Sequence, residues 1–162
     1  MPRTPRVFVE GGIYHVYNRF ASGEAVFADP EAAREFIELL RFVKKRDGWT
    51  VFAWVLMTNH YHLAIRSRAV PISRGFHYLQ GTFSRRFNRS RGRTGALWQS
   101  RYHAKAINEQ KYLDRVVLYI HLNSVPDTNS GGSDSARASN TYQRIVTFLM
   151  PHSLAASTSV PM

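Results

Sequence analysis

The chain has 162 residues, the length of one globular domain, and its 44% hydrophobic and 13% aromatic content can build a packed core, which excludes a wholly disordered chain. No apolar run reaches the about eighteen residues of a membrane span, residues 1–6 hold no hydrophobic segment of the secretory kind, and cysteine is absent, so the expected address is cytoplasmic, with no membrane partner and no disulfide or thiolate metal centre. Twenty-two Lys and Arg against 11 Asp and Glu give a net charge of +11, which points to a polyanionic partner.

In chain order, Gly11 and Gly12 open a run of β-formers over residues 13–17, which predicts a first strand. Asp29-Pro30 is a helix start, an N-cap followed by proline at the first helical position. Ala33, Phe36, Ile37, Leu40 and Val43 then repeat at helical spacing until Gly48. Residues 49–57 form a largely apolar strand, Thr58-Asn59 a turn, and residues 60–66 a second strand paired with it as an antiparallel hairpin. Ile72, Phe76, Leu79, Phe83 and Phe87 mark a second helix to about Asn88, although Gly75 and Gly81 weaken its propensity. A Gly-rich basic loop, 89–95, leads through Ala96-Leu97-Trp98-Gln99 into a strand ending near Ile107. Asn108 is the expected cap of a third helix with core face Leu113, Val116, Val117 and Ile120. The order β-α-β-β-α-β-α suits an α+β, ferredoxin-like antiparallel sheet with the first two helices on one face and the third on or beside the sheet. Residues 126–140, rich in Ser, Asn, Asp and Gly, read as a linker, and the chain divides into 1–125 and a tail, 126–162.

The charge is unevenly placed. Between Asp47 and Glu109 there is no acidic residue, while Arg66, Arg68, Arg74, Arg85, Arg86, Arg89, Arg91, Arg93, Arg101 and Lys105 supply ten cations. Eighteen of the 22 basic residues are arginine, whose planar fork pairs with phosphate and stacks on bases. Arg74, Arg85, Arg86, Arg89, Arg91, Arg93, Arg101 and Lys105 are therefore the expected nucleic-acid-binding residues, against the alternative of a solvated basic face. Trp98, Tyr102 and Tyr78 are candidate stacking platforms, with core packing the competing role for Trp98, and the 89–95 loop is either a phosphate-binding element or a disordered connector.

Two constellations carry chemistry. In His60-Tyr61-His62, strand alternation puts both imidazoles on one face, where they can share one divalent ion or be satisfied as ordinary sheet histidines. Tyr119 and Asn123, four residues apart, share a helix face. The amide oxygen of Asn123 suits Mg²⁺ or Mn²⁺ as a third ligand, and the Tyr119 hydroxyl would reach a metal-bound phosphate, unless the two simply bond each other. Arg101, Lys105 and Arg115 are candidate cations for stabilising a phenolate, while His15, His77 and His103 read as ordinary structural residues, with a place on the strand beside the site as the alternative for His103.

Four ordered segments, YHVYNR with Tyr14, His15 and Arg19, MTNHYHL with His60 and His62, LWQSRY with Trp98 and Arg101, and YIHLN with Tyr119 and Asn123, resemble the HUH single-tyrosine transposases, most of all those associated with REP elements. The resemblance spans about Gly11 to Val125 and departs from the family after Asn123, where Ser124 stands in place of a proline. It implies an insertion-sequence transposase fold with an added C-terminal catalytic helix, and residues 1–125 as the catalytic domain. It further implies His60, His62 and Asn123 as ligands of Mg²⁺ or Mn²⁺, and Tyr119 as a nucleophile that cuts single-stranded DNA near hairpins through a 5′-phosphotyrosine. The partner implied is single-stranded or hairpin DNA, bound by a monomer or homodimer. The alternative is a domesticated hairpin-binding protein that does not cut.

Overall fold

The computed structural model describes residues 9–122. They form β1 (Ile13–Arg19), α1 (Pro30–Asp47), β2 (Thr50–Met57), β3 (His60–Arg66), α2 (Ile72–Ser90), β4 (His103–Ile107) and α3 (Gln110–Leu122). The strands make one fully antiparallel sheet in the order β2-β3-β1-β4, the ferredoxin-like arrangement expected from the element order. The expected linker and tail, 126–162, and Asn123 lie outside the described residues.

Each face of the sheet has its own core. Tyr14, Val16, Tyr61, Leu63 and Ile65 point to one side and meet Phe36, Leu40 and Val43 of α1 and Phe76, Leu79 and Phe83 of α2. Ala53, Val55, Ala64 and Ile107 point to the other, where Leu113, Val116 and Ile120 of α3 cover them. Both faces of β2 are thereby used, which is why its sequence does not alternate. A register shift between Val51 and Ala53 turns Val51 toward α1 and α2 but Ala53 toward α3.

The local signals act as expected in α1: the Asp29 side chain accepts from the Glu31 amide at 3.0 Å, Pro30 opens the helix, and Gly48 closes it with φ 68°. Three boundaries differ. β1 runs two residues further, to Arg19, and short 3-10 turns at Ala21–Gly23 and Val26–Ala28 follow it. Residues 96–102 form no regular strand: a single bridge joins Trp98 to Phe20, Leu97 and Tyr102 are buried, and β4 begins only at His103. At α3 the Glu109 carbonyl, rather than an Asn108 cap, receives the first amides, those of Tyr112 and Leu113, each at 3.1 Å.

The glycine at position 75 has a packing cause. A Cβ there would lie 2.6 Å from Cη2 of Trp49 and 2.8 Å from Oδ2 of the buried Asp47, so α2 approaches the start of β2 as closely as it does only without a side chain. Gly75→Ala is expected to destabilise the protein by about 1–3 kcal/mol in denaturant unfolding. Gly81→Ala, which meets only Nη1 of Arg85 at 3.4 Å, is expected to be neutral or to gain up to about 1 kcal/mol of helix propensity.

Candidate active site

Strand pairing assembles the site. Residues directly opposite one another share a face, so the register Tyr17↔His62, Arg19↔His60, His15↔Lys105 and Tyr17↔His103 gathers residues of three strands on the α3 side of the sheet. His60 and His62 stand together there, ring centroids 5.2 Å apart and nearly perpendicular at 85°. Tyr119, on α3, brings its ring to 5.4 Å from that of His62, edge to face at 86°. The tyrosine and the histidine pair thus meet within one chain, and Tyr119 is 46% exposed, open to a large substrate.

Hydrogen bonds define what the two imidazoles can do. Nδ1 of His60 lies 2.6 Å from Oδ1 of Asn59, an acceptor, so Nδ1 carries the hydrogen and Nε2 keeps its lone pair. Nδ1 of His62 lies 3.0 Å from Nε2 of His15, and donation from His62 leaves its Nε2 unprotonated in the same way. Burial, with a smaller effect of Arg19, lowers the pKa of His60. His62 is lowered to about 4, by burial first and then by His15, His60 and Arg19. His15 is lowered by burial and by Lys105. Neutral imidazoles with free lone pairs fit a divalent ion. Among the described residues no group of three or more His, Cys, Asp or Glu side chains completes a ligand set, so the pair calls for another donor. The expected one, Asn123, is outside the described residues.

The expected DNA-binding residues separate into three places. Arg85, Arg86, Arg89 and Arg93 line a cleft of about 590 Å³ at the end of α2. Arg74 and Arg101 line a second, of about 880 Å³, with His77, Ser84 and the edge of Trp98. Both clefts belong to α2, which packs on the face of the sheet opposite to α3. Only Lys105 lies on the histidine face. The loop after α2 is a built element, not a disordered connector. Arg93 pairs with both oxygens of Glu24 at 2.5 and 2.7 Å, Arg91 pairs with Asp29, and their guanidinium groups lie 5.6 and 4.2 Å from the Phe87 ring centre. Arg86 reaches Glu35 at 3.4 Å. Among the described residues no carboxylate comes within ion-pair distance of Arg74, Arg85, Arg89, Arg101 or Lys105.

Of the expected stacking residues, Tyr102 is buried against Phe76 at 4.6 Å, Trp98 is stacked on Phe20 at 4.5 Å, and the Arg46 guanidinium sits 4.7 Å over Tyr78. Sequence reasoning allowed His103 a place on the strand beside the site and passed over three residues that the structure brings there: Arg19, His15 and Tyr17. Their signal was positional, since they alternate on β1 in phase with His60 and His62.

The family model described as transposase IS200-like matches residues 8–123, more than two thirds of the chain, and the chain belongs to that family. This is the single-tyrosine transposase group that the four motifs resemble. Among solved structures, a REP-associated tyrosine transposase bound to a REP hairpin is similar with a TM-score of 0.63 and 19% identity, over 76% of this chain and 72% of that one. A protein of Deinococcus radiodurans R1 proposed to be a transposase is similar with a TM-score of 0.51 and 21% identity, over 75% of this chain and 97% of that one. At these identities the likeness is one of fold. No curated protein matches the chain. Among the described residues no helix is long and apolar enough to cross a membrane.

Proposed function

We propose that this transposase-family chain is a single-strand DNA endonuclease and strand transferase that cuts beside DNA hairpins, with Tyr119 as nucleophile and His60, His62 and Asn123 holding Mg²⁺ or Mn²⁺. The observation that carries the reading is the approach of the Tyr119 ring to 5.4 Å from that of His62, on the face where the two histidines stand. A bound divalent ion would supply Lewis-acid polarisation of the scissile phosphate. The Tyr119 oxygen attacks phosphorus and the bond from phosphorus to the 3′ oxygen breaks. The phenolic proton is lost, the 3′ oxygen leaves as a hydroxyl, and the 5′ end stays joined to Tyr119. A phenol with a pKa near 10 needs nearby positive charge to react at neutral pH, and Arg115, one turn before Tyr119 on α3, Arg19, opposite His60, and Lys105, opposite His15, are the candidates the chain offers for it.

Incubation with hairpin-bearing single-stranded DNA and Mn²⁺ is expected to give a protein–DNA adduct that survives denaturation. Binding without any adduct at any hairpin tested would instead favour the non-cutting reading.

The arginines of α2 are proposed to hold the hairpin. Single strands lose about 0.7, and duplexes about 0.9, in the slope of log K against log salt for each phosphate contact removed. Arg85→Ala and Arg89→Ala are each expected to weaken hairpin binding and lower that slope by one contact. Arg91→Ala and Arg93→Ala, whose charges Asp29 and Glu24 already neutralise, are expected to change the slope by much less. Equal slopes for all four variants would show that the ion pairs open on binding.

A further inference from the structure

The half of the α3-side face that α3 covers carries Ile107, Ala64, Ala53 and Val55. The other half carries a ladder of rings. Tyr17 lies 5.5 Å from His62, and His103 lies 5.0 Å from Tyr17 with the two planes only 15° apart. β4 is the edge strand, so the stack ends at His103, which is exposed, and its outer face has no further ring of the described residues against it. Lys105, two residues along and on the same face, is exposed and without a carboxylate within ion-pair distance among the described residues. None of the four strands has an acidic side chain. A flat π surface ending an existing stack, with a cation beside it and no acidic side chain on the four strands, matches one ligand chemistry: an unpaired base with its phosphate.

We infer that Tyr17 and His103, with Lys105, seat an unpaired nucleotide of the single strand flanking the phosphodiester that Tyr119 attacks. The inference rests on the DNA-cutting reading for its ligand but not on the cutting itself. The ladder runs from the sheet edge through Tyr17 to His62, whose ring is also the neighbour of Tyr119, so a strand whose base stacks on His103 lies one ladder's length from the histidine pair and the tyrosine. Lys105 would take the phosphate. Stacking is tolerant of base identity, so this seat would position the strand without choosing its sequence.

The test is fluorescence anisotropy with the full chain in EDTA, using a bare DNA hairpin and the same hairpin with a short single-stranded extension at either end. Wild type is expected to bind one of the extended hairpins more tightly than the bare one. His103→Ala and Tyr17→Leu are expected to remove about 5- to 100-fold of affinity for that probe and to leave bare-hairpin binding unchanged. Tyr17→Phe is expected to retain the gain, an abasic extension to abolish it for wild type, and Lys105→Gln to lower the salt slope by about 0.7. His103 is exposed on the edge strand, so its variant reports binding rather than folding, and a thermal melt checks Tyr17→Leu. Extended-probe affinity equal to wild type in His103→Ala, or equal losses on bare and extended probes, would overturn the inference while leaving the cutting reading in place. Wild type that binds neither hairpin nor single strand would overturn both. Because no divalent ion is present and no cleavage is read, a failure of strand cutting alone does not alter the outcome.

Discussion

Tyr119→Phe is expected to abolish the denaturation-resistant adduct with hairpin-bearing DNA in Mn²⁺, a loss on the order of a thousandfold or more, as removal of a covalent nucleophile gives elsewhere. The substitution takes away one oxygen and keeps the ring, so the edge-to-face contact with His62 and the packing of α3 through Leu113, Val116 and Ile120 persist. Hairpin affinity is expected to stay at the wild-type level, because the unpaired arginines of α2 lie on the other side of the sheet. The structure also makes the control demanding. A second phenol, Tyr17, has its ring 5.5 Å from His62, almost the same distance as Tyr119, but is partly buried between His15 and His103 while Tyr119 is 46% exposed. An adduct that persists in Tyr119→Phe and disappears in Tyr17→Phe would move the nucleophile to β1.

That second tyrosine illustrates where the sequence stopped being readable. The helices were legible because their signals are local: Asp29-Pro30 and Gly48 bound α1, and the spacing of Ile72, Phe76, Leu79, Phe83 and Phe87 places all five in the core. The histidine pair was legible because alternation along one strand is a local rule. What was not legible depends on register between strands far apart in sequence. His15 bonds to His62 across 47 residues, and Tyr17 and His103 are opposed across 86. Nothing near His15 in the chain distinguishes it from an ordinary sheet histidine. The same limit explains the basic segment. Charge counting from Asp47 to Glu109 gathers arginines that the fold distributes to two clefts and one sheet face, and it misses Glu24 and Asp29, which return from 69 and 62 residues away to neutralise Arg93 and Arg91. The last strand, expected to follow Gln99, starts only at His103, because Leu97 and Tyr102 ahead of it turn into the core, where side chains distant in sequence receive them.

The second large effect is expected at the histidines, and His15 grades it. His60→Ala or His62→Ala removes half of the imidazole donors and is expected to reduce Mn²⁺ affinity by more than about 100-fold, with adduct formation falling in proportion. His15→Leu keeps both donors but removes the partner of His62 Nδ1. For His62 to offer Nε2 to a metal, its Nδ1 must hold the hydrogen and donate it to His15 Nε2 across the 3.0 Å contact, just as His60 donates from Nδ1 to Asn59. Losing that acceptor frees the ring to rotate or change tautomer, and second partners of this kind are worth about 10- to 100-fold in metal affinity. His15→Gln places an amide oxygen where Nε2 stood and is expected to recover most of the loss, which a purely steric role for His15 would not allow. Titration of Mn²⁺ followed by electron paramagnetic resonance reads this directly, without DNA or turnover. Wild-type Mn²⁺ affinity in His15→Leu would mean that the hydrogen runs from His15 to His62, which would put a proton on Nε2 of His62 and remove it from the ligand set.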